Sequence, residues 1–79
     1  MSADCLDRIR PIFAALFNVP AGSVGPATSQ QDLAAWDSLG HLNLVLELEQ
    51  EFGISLAPEE VERMSDVATI VSVIEAARP

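Results

Sequence analysis

Residues 36–41 read WDSLGH, and they hold the side chains whose types and spacing could do chemistry. A serine nucleophile needs a general base within hydrogen-bond reach, and that base needs an orienting group. His41 is the single histidine of the chain and lies one helical turn beyond Ser38. It could approach the serine, but no oxyanion hole or substrate pocket is evident, and a domain this small has little room for one. Glu47, Glu49 and Glu51 fall in an ordinary acidic helical run, not in a paired-carboxylate arrangement. The chain has no glycine-rich phosphate loop, EF-hand or zinc spacing. No catalytic residue and no metal ligand is therefore assigned. Two other uses of Ser38 stand: a helix cap, and an attachment point for a group that the chain does not itself encode. A helix N-terminus offers unsatisfied N–H groups and the positive end of the helix dipole, so a phosphate on Ser38 would be stabilised there without many basic residues. That matters in a chain with four arginines and no lysine. Asp37 beside it opposes a free phosphate but attracts a basic partner.

The elements around this junction follow from pattern and punctuation. SLGHLNLVLELEQEF begins at two good capping residues, Asp37 and Ser38, and ends before Gly53, which suits the residue just past a helix; a helix over roughly 38–52 is predicted. At about 100° per residue, Leu39, Leu42, Leu44, Val45, Leu46, Leu48 and Phe52 cover more than half of its circumference, interrupted by His41 and Glu49. So apolar a helix is expected at the centre of a bundle, touching several neighbours. Its narrow polar strip holds Gly40, Asn43, Glu47, Gln50 and Glu51, bordered by Leu39 and Leu46: an acidic stripe with an apolar edge, suited to docking.

Before it, ADCLDRIRPIFAALFNV repeats apolar residues at helical spacing (Leu6, Ile9, Ile12/Phe13, Leu16/Phe17). Pro11 lacks an N–H and crowds the preceding turn, which predicts a kink or a frayed first half. Residues 20–37, with Pro20, Gly22, Gly25 and Pro26, read as a loop long enough to be functional. Val24, Leu33 and Trp36 are expected to pin it to the core, with a single turn at Leu33–Trp36. After Gly53, Pro58 opens a short third helix, with Glu59 and Glu60 at its positive end and Val61 and Met64 facing inward. Ser65 is expected to cap a fourth helix, with Asp66 in its first turn and an inward stripe of Val67, Ile70, Val71 and Ile74. No segment has the pattern of a strand with its turns. The fold class is all-α: a four-helix bundle with a short third helix and a long first loop, one domain over residues 1–79.

The net charge is −8, from 12 acidic residues against 4 basic ones. So acidic a surface repels phosphate backbones and anionic membranes and favours partners with basic patches. No stretch approaches a membrane span of about 18 apolar residues. The apolar run PIFAALF is too short for a secretory signal and follows acidic residues, so a cytoplasmic protein is expected. Cys5 is the lone cysteine, which excludes an internal disulfide.

DSL opening a leucine-rich helix, the segment LELEQEFGISL that ends it, and APEEVERMSDVATIVSVI beyond it resemble the acyl carrier proteins and their peptidyl-carrier relatives. The resemblance spans nearly the whole domain and is weakest over residues 1–30. It implies that Ser38 carries 4′-phosphopantetheine, installed from coenzyme A by a phosphopantetheinyl transferase. The thiol of that arm then bears acyl or aminoacyl groups as thioesters, so Cys5 is not the acyl site. The carrier is no enzyme; it presents its cargo to enzymes that dock on its second helix and first loop. By position, the docking residues are Trp36, Asp37, Leu39, Gly40, Asn43, Glu47 and Glu51, and Trp36 also reads as a loop anchor.

The chain departs from fatty-acid-synthesis carriers at Gly40 and Asn43, where acidic residues are usual, and at the neutral Gln50. Trp36 is more typical of specialised carriers. Together these residues suggest a dedicated carrier, expected to be monomeric, served by an adenylating (acyl- or aminoacyl-loading) ligase, a ketosynthase or an acyltransferase. A peptidyl or D-alanyl carrier is the alternative within the family. An acidic helical adaptor without a prosthetic group is the alternative outside it.

Overall fold

The computed structural model describes residues 3–78. It contains four α-helices: α1 (Ala3–Phe17), α2 (Ser38–Phe52), α3 (Pro58–Arg63) and α4 (Val67–Ala77). Among the described residues there is no strand, only an isolated antiparallel bridge between Ser29 and Asp66. The core is drawn from every element: Ile9 and Phe13 of α1, Val24 and Trp36 of the long loop, Leu44 and Leu48 of α2, Met64 after α3, and Ile70 and Ile74 of α4.

The first helix runs unbroken through Pro11, so the expected fraying of its first half is not found. Pro11 lies on the exposed side, as does Asp7 four residues before it. The carbonyl that loses its donor is therefore on the solvent side, while Cys5 and Ile9 of the same half are fully buried. Burial of that face offsets the cost of the proline, about 3 kcal/mol in a helix interior. The helix stops at Asn18, whose left-handed backbone (φ 55°) is tolerated best by glycine and asparagine.

Residues 18–37 are tied down by more than apolar side chains. Val24 and Trp36 are buried and Leu33 packs against the core, as the sequence indicates. In addition, the start of α4 donates to the loop: Val67 N–H to the Thr28 carbonyl at 2.9 Å and Ala68 N–H to the Pro26 carbonyl at 3.0 Å, with Gln30 N–H donating to the Ser65 carbonyl at 3.0 Å. From the α1 side, Arg10 Nε donates to the Val24 carbonyl at 2.9 Å. This stitching moves the α4 cap by one residue. Ser65 was the expected cap, but it is drawn into the crossing with the loop. Asp66 caps instead, its carboxylate accepting from Thr69 N–H at 2.7 Å.

The second helix has the predicted limits, capped by Asp37 and ended at Gly53 in the left-handed region (φ 64°). Its predicted role as a helix covered on most sides needs correction. Only Leu44, Val45, Leu48 and Phe52 are buried. Leu39, Leu42 and Leu46 are 68%, 58% and 57% exposed. One face of α2 is thus packed, and the opposite face displays three leucines to solvent.

Candidate functional site

Ser38 is the first residue of α2, and its side chain is exposed. Asp37 precedes it in an extended conformation, and Asp37 Oδ1 accepts from Gly40 N–H at 2.8 Å. The capping role is therefore filled by Asp37, and Ser38 is released from it. Among the described residues the Ser38 hydroxyl makes no hydrogen bond. The N–H groups of Ser38 and Leu39 have no acceptor within the helix, as at any helix start.

The approach to this point is set by Trp36. Its side chain is 2% exposed and sits among aromatic rings, edge-on to Phe13 at 5.0 Å and stacked on Phe17 at 5.9 Å between centroids. Trp36 N–H donates to the Leu33 carbonyl at 3.0 Å, closing the predicted turn. A side chain so deeply placed does not reach a docking protein. Trp36 is an anchor, and the expectation of a direct partner contact is corrected.

His41 has both ring nitrogens engaged. Trp36 Nε1–H donates to Nδ1 at 2.9 Å, and Nε2 bonds to the Val61 carbonyl of α3 at 2.7 Å. In this arrangement it holds loop and helix together and has no ring nitrogen free to serve Ser38 as a base. A surface depression of about 310 Å³ is lined by Ser29, Gln30, Gln31, Ser65 and Asp66, and neither Ser38 nor His41 belongs to it.

Gly40 occupies a position with no room for a side chain. A Cβ there would overlap the Ala35 carbonyl oxygen and come within 3.0 Å of Phe17 Cε1 and 3.3 Å of Asp37 Oδ1. Its being a glycine is fixed by the crossing of the loop over the start of α2. Asn43, Glu47 and Gln50 are exposed and share the outer face of α2 with Leu39, Leu42 and Leu46. Glu51 is drawn elsewhere: Arg8 of α1 donates from Nε to its carboxylate at 2.9 Å and from Nη2 to its carbonyl at 2.6 Å. It lies about 20 Å along the helix from Ser38, at 1.5 Å per residue. Glu49 accepts from Leu56 N–H at 2.8 Å. The stripe read from the sequence as acidic therefore carries a single uncommitted carboxylate, Glu47, on a face that is mainly apolar and neutral. The sequence pattern places Leu39 and Leu46 at the edge of this face but not Leu42, whose exposure periodicity does not give, because it does not say which side of a helix its neighbours cover.

Fold and site together define a class: a small helical domain that displays an exposed hydroxyl at a helix start. Residues 7–75 match the family described as the phosphopantetheine attachment site, and the chain belongs to that family. Its fold is similar to the solution NMR structure of a holo acyl carrier protein from Geobacter metallireducens, with a TM-score of 0.81 and 32% sequence identity over 91% of this chain and 83% of that one. It is a phosphopantetheine-bearing carrier domain of the acyl carrier protein kind, with the covalent 4′-phosphopantetheine that this entails.

The residues present fit such a group. A phosphodiester on Ser38 Oγ would lie at the positive end of a 15-residue helix, beside the open N–H groups of Ser38 and Leu39. The nearest carboxylate, Asp37, already has one oxygen committed to Gly40 N–H. The group would supply a thiol on a flexible arm. The chain would supply the exposed hydroxyl, the helix start to steady the phosphate, and the anchored loop to fix where the arm begins.

Proposed function

We propose that Ser38 is the attachment residue and that the single domain carries acyl intermediates as thioesters between enzymes of a specialised biosynthetic pathway. The observation that carries this reading is the exposed, unbonded Ser38 hydroxyl at the start of α2, relieved of capping by Asp37. The carrier catalyses no step; the chemistry belongs to its partners: the phosphopantetheinyl transferase, a loading ligase, and ketosynthase- or acyltransferase-type enzymes. A cytoplasmic location belongs to the same proposal; among the described residues no helix is long and apolar enough to cross a membrane.

Specialisation is supported by the outer face of α2. Enzymes that reach Ser38 must cover Leu39, Leu42 and Asn43, and one turn further Leu46 and Glu47. Glu47 is the one uncommitted carboxylate on that face, so docking there relies on apolar contact more than on charge. A basic patch shaped for acidic residues at positions 40 and 43 would find none.

The test is direct. The protein is incubated with coenzyme A, magnesium and a broad-specificity phosphopantetheinyl transferase, and its intact mass is taken. A gain of one phosphopantetheine, absent in Ser38→Ala, is expected. No gain under conditions that modify a control carrier removes the proposal. A gain that persists in Ser38→Ala moves the attachment to another residue.

A further inference from the structure

Trp36 and His41 are joined by a bond that only one protonation state permits. An indole N–H donates and cannot accept, so His41 Nδ1, 2.9 Å from Trp36 Nε1, carries no proton. A backbone carbonyl accepts and cannot donate, so Nε2, 2.7 Å from the Val61 oxygen, carries one. Taken together the two partners fit one species, the neutral imidazole with its proton on Nε2; the Val61 bond is open to the cation as well, and the Trp36 bond alone excludes it. The ring planes differ by 23° with centroids 6.1 Å apart. With the nitrogens at 2.9 Å, this is an in-plane N–H···N bond between ring edges, not a stack of faces.

We infer that His41 is a positioning residue for Ser38, gated by a proton: its neutral imidazole holds Trp36, and through it the segment that delivers Asp37 and Ser38 to the start of α2, and uptake of a proton releases Trp36. The inference rests on Ser38 as the attachment residue only for its functional consequence, not for the switch itself. A proton on Nδ1 sets two N–H groups head-on across 2.9 Å. The α3 side behaves differently. Nε2–H keeps its bond to Val61, whose carbonyl lies in the last turn of α3, and a cation at a helix C-terminus is favoured. Protonation thus leaves α2 tied to α3 and frees the indole alone. The indole is the side chain that fixes the approach to the site, since Trp36 closes the turn onto Leu33 and lies two residues before Ser38.

The charged groups on the elements around His41 are Asp32 and Asp37 of the loop, Glu47, Glu49 and Glu51 of α2 (Glu51 paired with Arg8), and Glu59, Glu60, Glu62 and Arg63 at α3. Asp32, Asp37, Glu49 and Glu60 have carboxylates committed to the backbone N–H groups of Ser29, Gly40, Leu56 and Ala57. Among the described residues none of these charged groups forms an ion pair with His41.

Trp36 is the only tryptophan, and its fluorescence and indole proton report on the bond directly. Near neutral pH, nitrogen-15 spectra of the full chain should show His41 protonated at Nε2 and the Trp36 indole proton protected from exchange. On acid titration both signals should change in one step while far-ultraviolet circular dichroism stays constant. His41→Gln, whose amide can accept from Trp36 and donate to Val61, should keep the Trp36 bond and lose the step. His41→Leu should show the released Trp36 signal at every pH. Attachment of phosphopantetheine to the wild type, measured as a rate relative to His41→Gln at the same pH, should fall about fivefold across the step, the worth of one ordinary hydrogen bond. A proton on Nδ1 at neutral pH, or a tryptophan step that survives in His41→Gln, overturns the switch. A clean step with no change in the relative rate overturns the positioning role. If Ser38 proves not to be the attachment residue, the tryptophan titration still decides the switch.

Discussion

Replacing Gly40 by alanine should destabilise the protein, although the same change in an ordinary helix would stabilise it. Alanine is favoured over glycine by up to about 1 kcal/mol in a helix interior, and position 40 is helical with no positive φ. Against this gain stands the space. The new methyl would overlap the Ala35 carbonyl oxygen, a backbone atom, and press Phe17 Cε1 at 3.0 Å. Phe17 is itself packed on Trp36 and Phe13, so neither obstacle is the loose end of a flexible side chain. Overpacking of this kind costs about 1–3 kcal/mol. The net expectation is a loss of about 1–2 kcal/mol, or about 4–16 °C in melting temperature at about 4–8 °C per kcal/mol for a domain of this size. Thermal and urea denaturation followed by circular dichroism would measure it. Gly40→Asp should be worse, because its carboxylate starts beside Asp37 Oδ1. Asn43→Asp, on the open face, should stay within about 0.5 kcal/mol of the wild type. A Gly40→Ala protein that melts at or above the wild-type temperature would refute the packing argument, and Gly40 would then be free to have been lost as a charge alone.

Asp66 gives a pH-dependent companion. Its carboxyl is held below the ordinary carboxylate value by the Thr69 backbone N–H it accepts, with the Thr69 side chain adding to the effect. A carboxyl lowered in the folded state contributes stability at pH values above its unfolded pKa and loses it as pH falls through the folded one. Acid titration of the melting temperature below about pH 4 should therefore be shallower in Asp66→Ala, which should also lose about 1 kcal/mol at neutral pH as a missing N-cap. Cys5 is buried, and its thiol is pushed up first by that burial and then by the Glu75 carboxylate. An alkylating reagent at neutral pH should leave Cys5 unmodified until denaturant is added, as followed by intact mass. Leu42→Ala and Leu46→Ala remove exposed side chains and should leave the melting temperature within about 2–4 °C of the wild type. The same changes should weaken binding to a loading ligase, measured by calorimetry on the holo form.

What was legible in the sequence is what short-range chemistry writes. The limits of α2 are set by Asp37 and Gly53, residues whose own side chain or backbone freedom ends a helix, so they could be placed without knowing the neighbours. The same holds for Pro58 at the start of α3 and for the inward stripe of α4. Misplacements came where a distant segment decides. Ser65 and Asp66 are both competent caps, and the choice falls to Asp66 because the loop at Pro26–Gln30 takes the first N–H groups of α4 and the Ser65 carbonyl. Trp36 could be recognised as an anchor, but not as one deep enough to exclude partner contact, since its burial depends on Phe13 and Phe17 of α1. Nor does the sequence hint that its indole N–H finds His41, which becomes a neighbour only once the loop turns onto α2.

The distribution of charge on α2 differs between the sequence pattern and the folded chain. Composition gives a strongly acidic chain, and family resemblance assigns that acidity to α2. In the folded protein much of it there has other work. Glu51 holds Arg8, whose guanidinium also lies 4.3 Å above the Phe52 ring, and Glu49 satisfies Leu56 N–H at the turn out of the helix. Gly40 is reserved for the crossing of the loop. The outer face is left with Leu39, Leu42, Leu46, Asn43, Gln50 and one open carboxylate, Glu47. Surface ion pairs are screened by salt and contribute little each, whereas apolar area removed from water does not depend on ionic strength to the same degree. Association through this face should accordingly change little with added salt, and Glu47→Gln should alter it less than Leu42→Ala does. A strong loss of partner affinity at moderate salt would return the recognition of Ser38 to charge and away from the leucines that surround it.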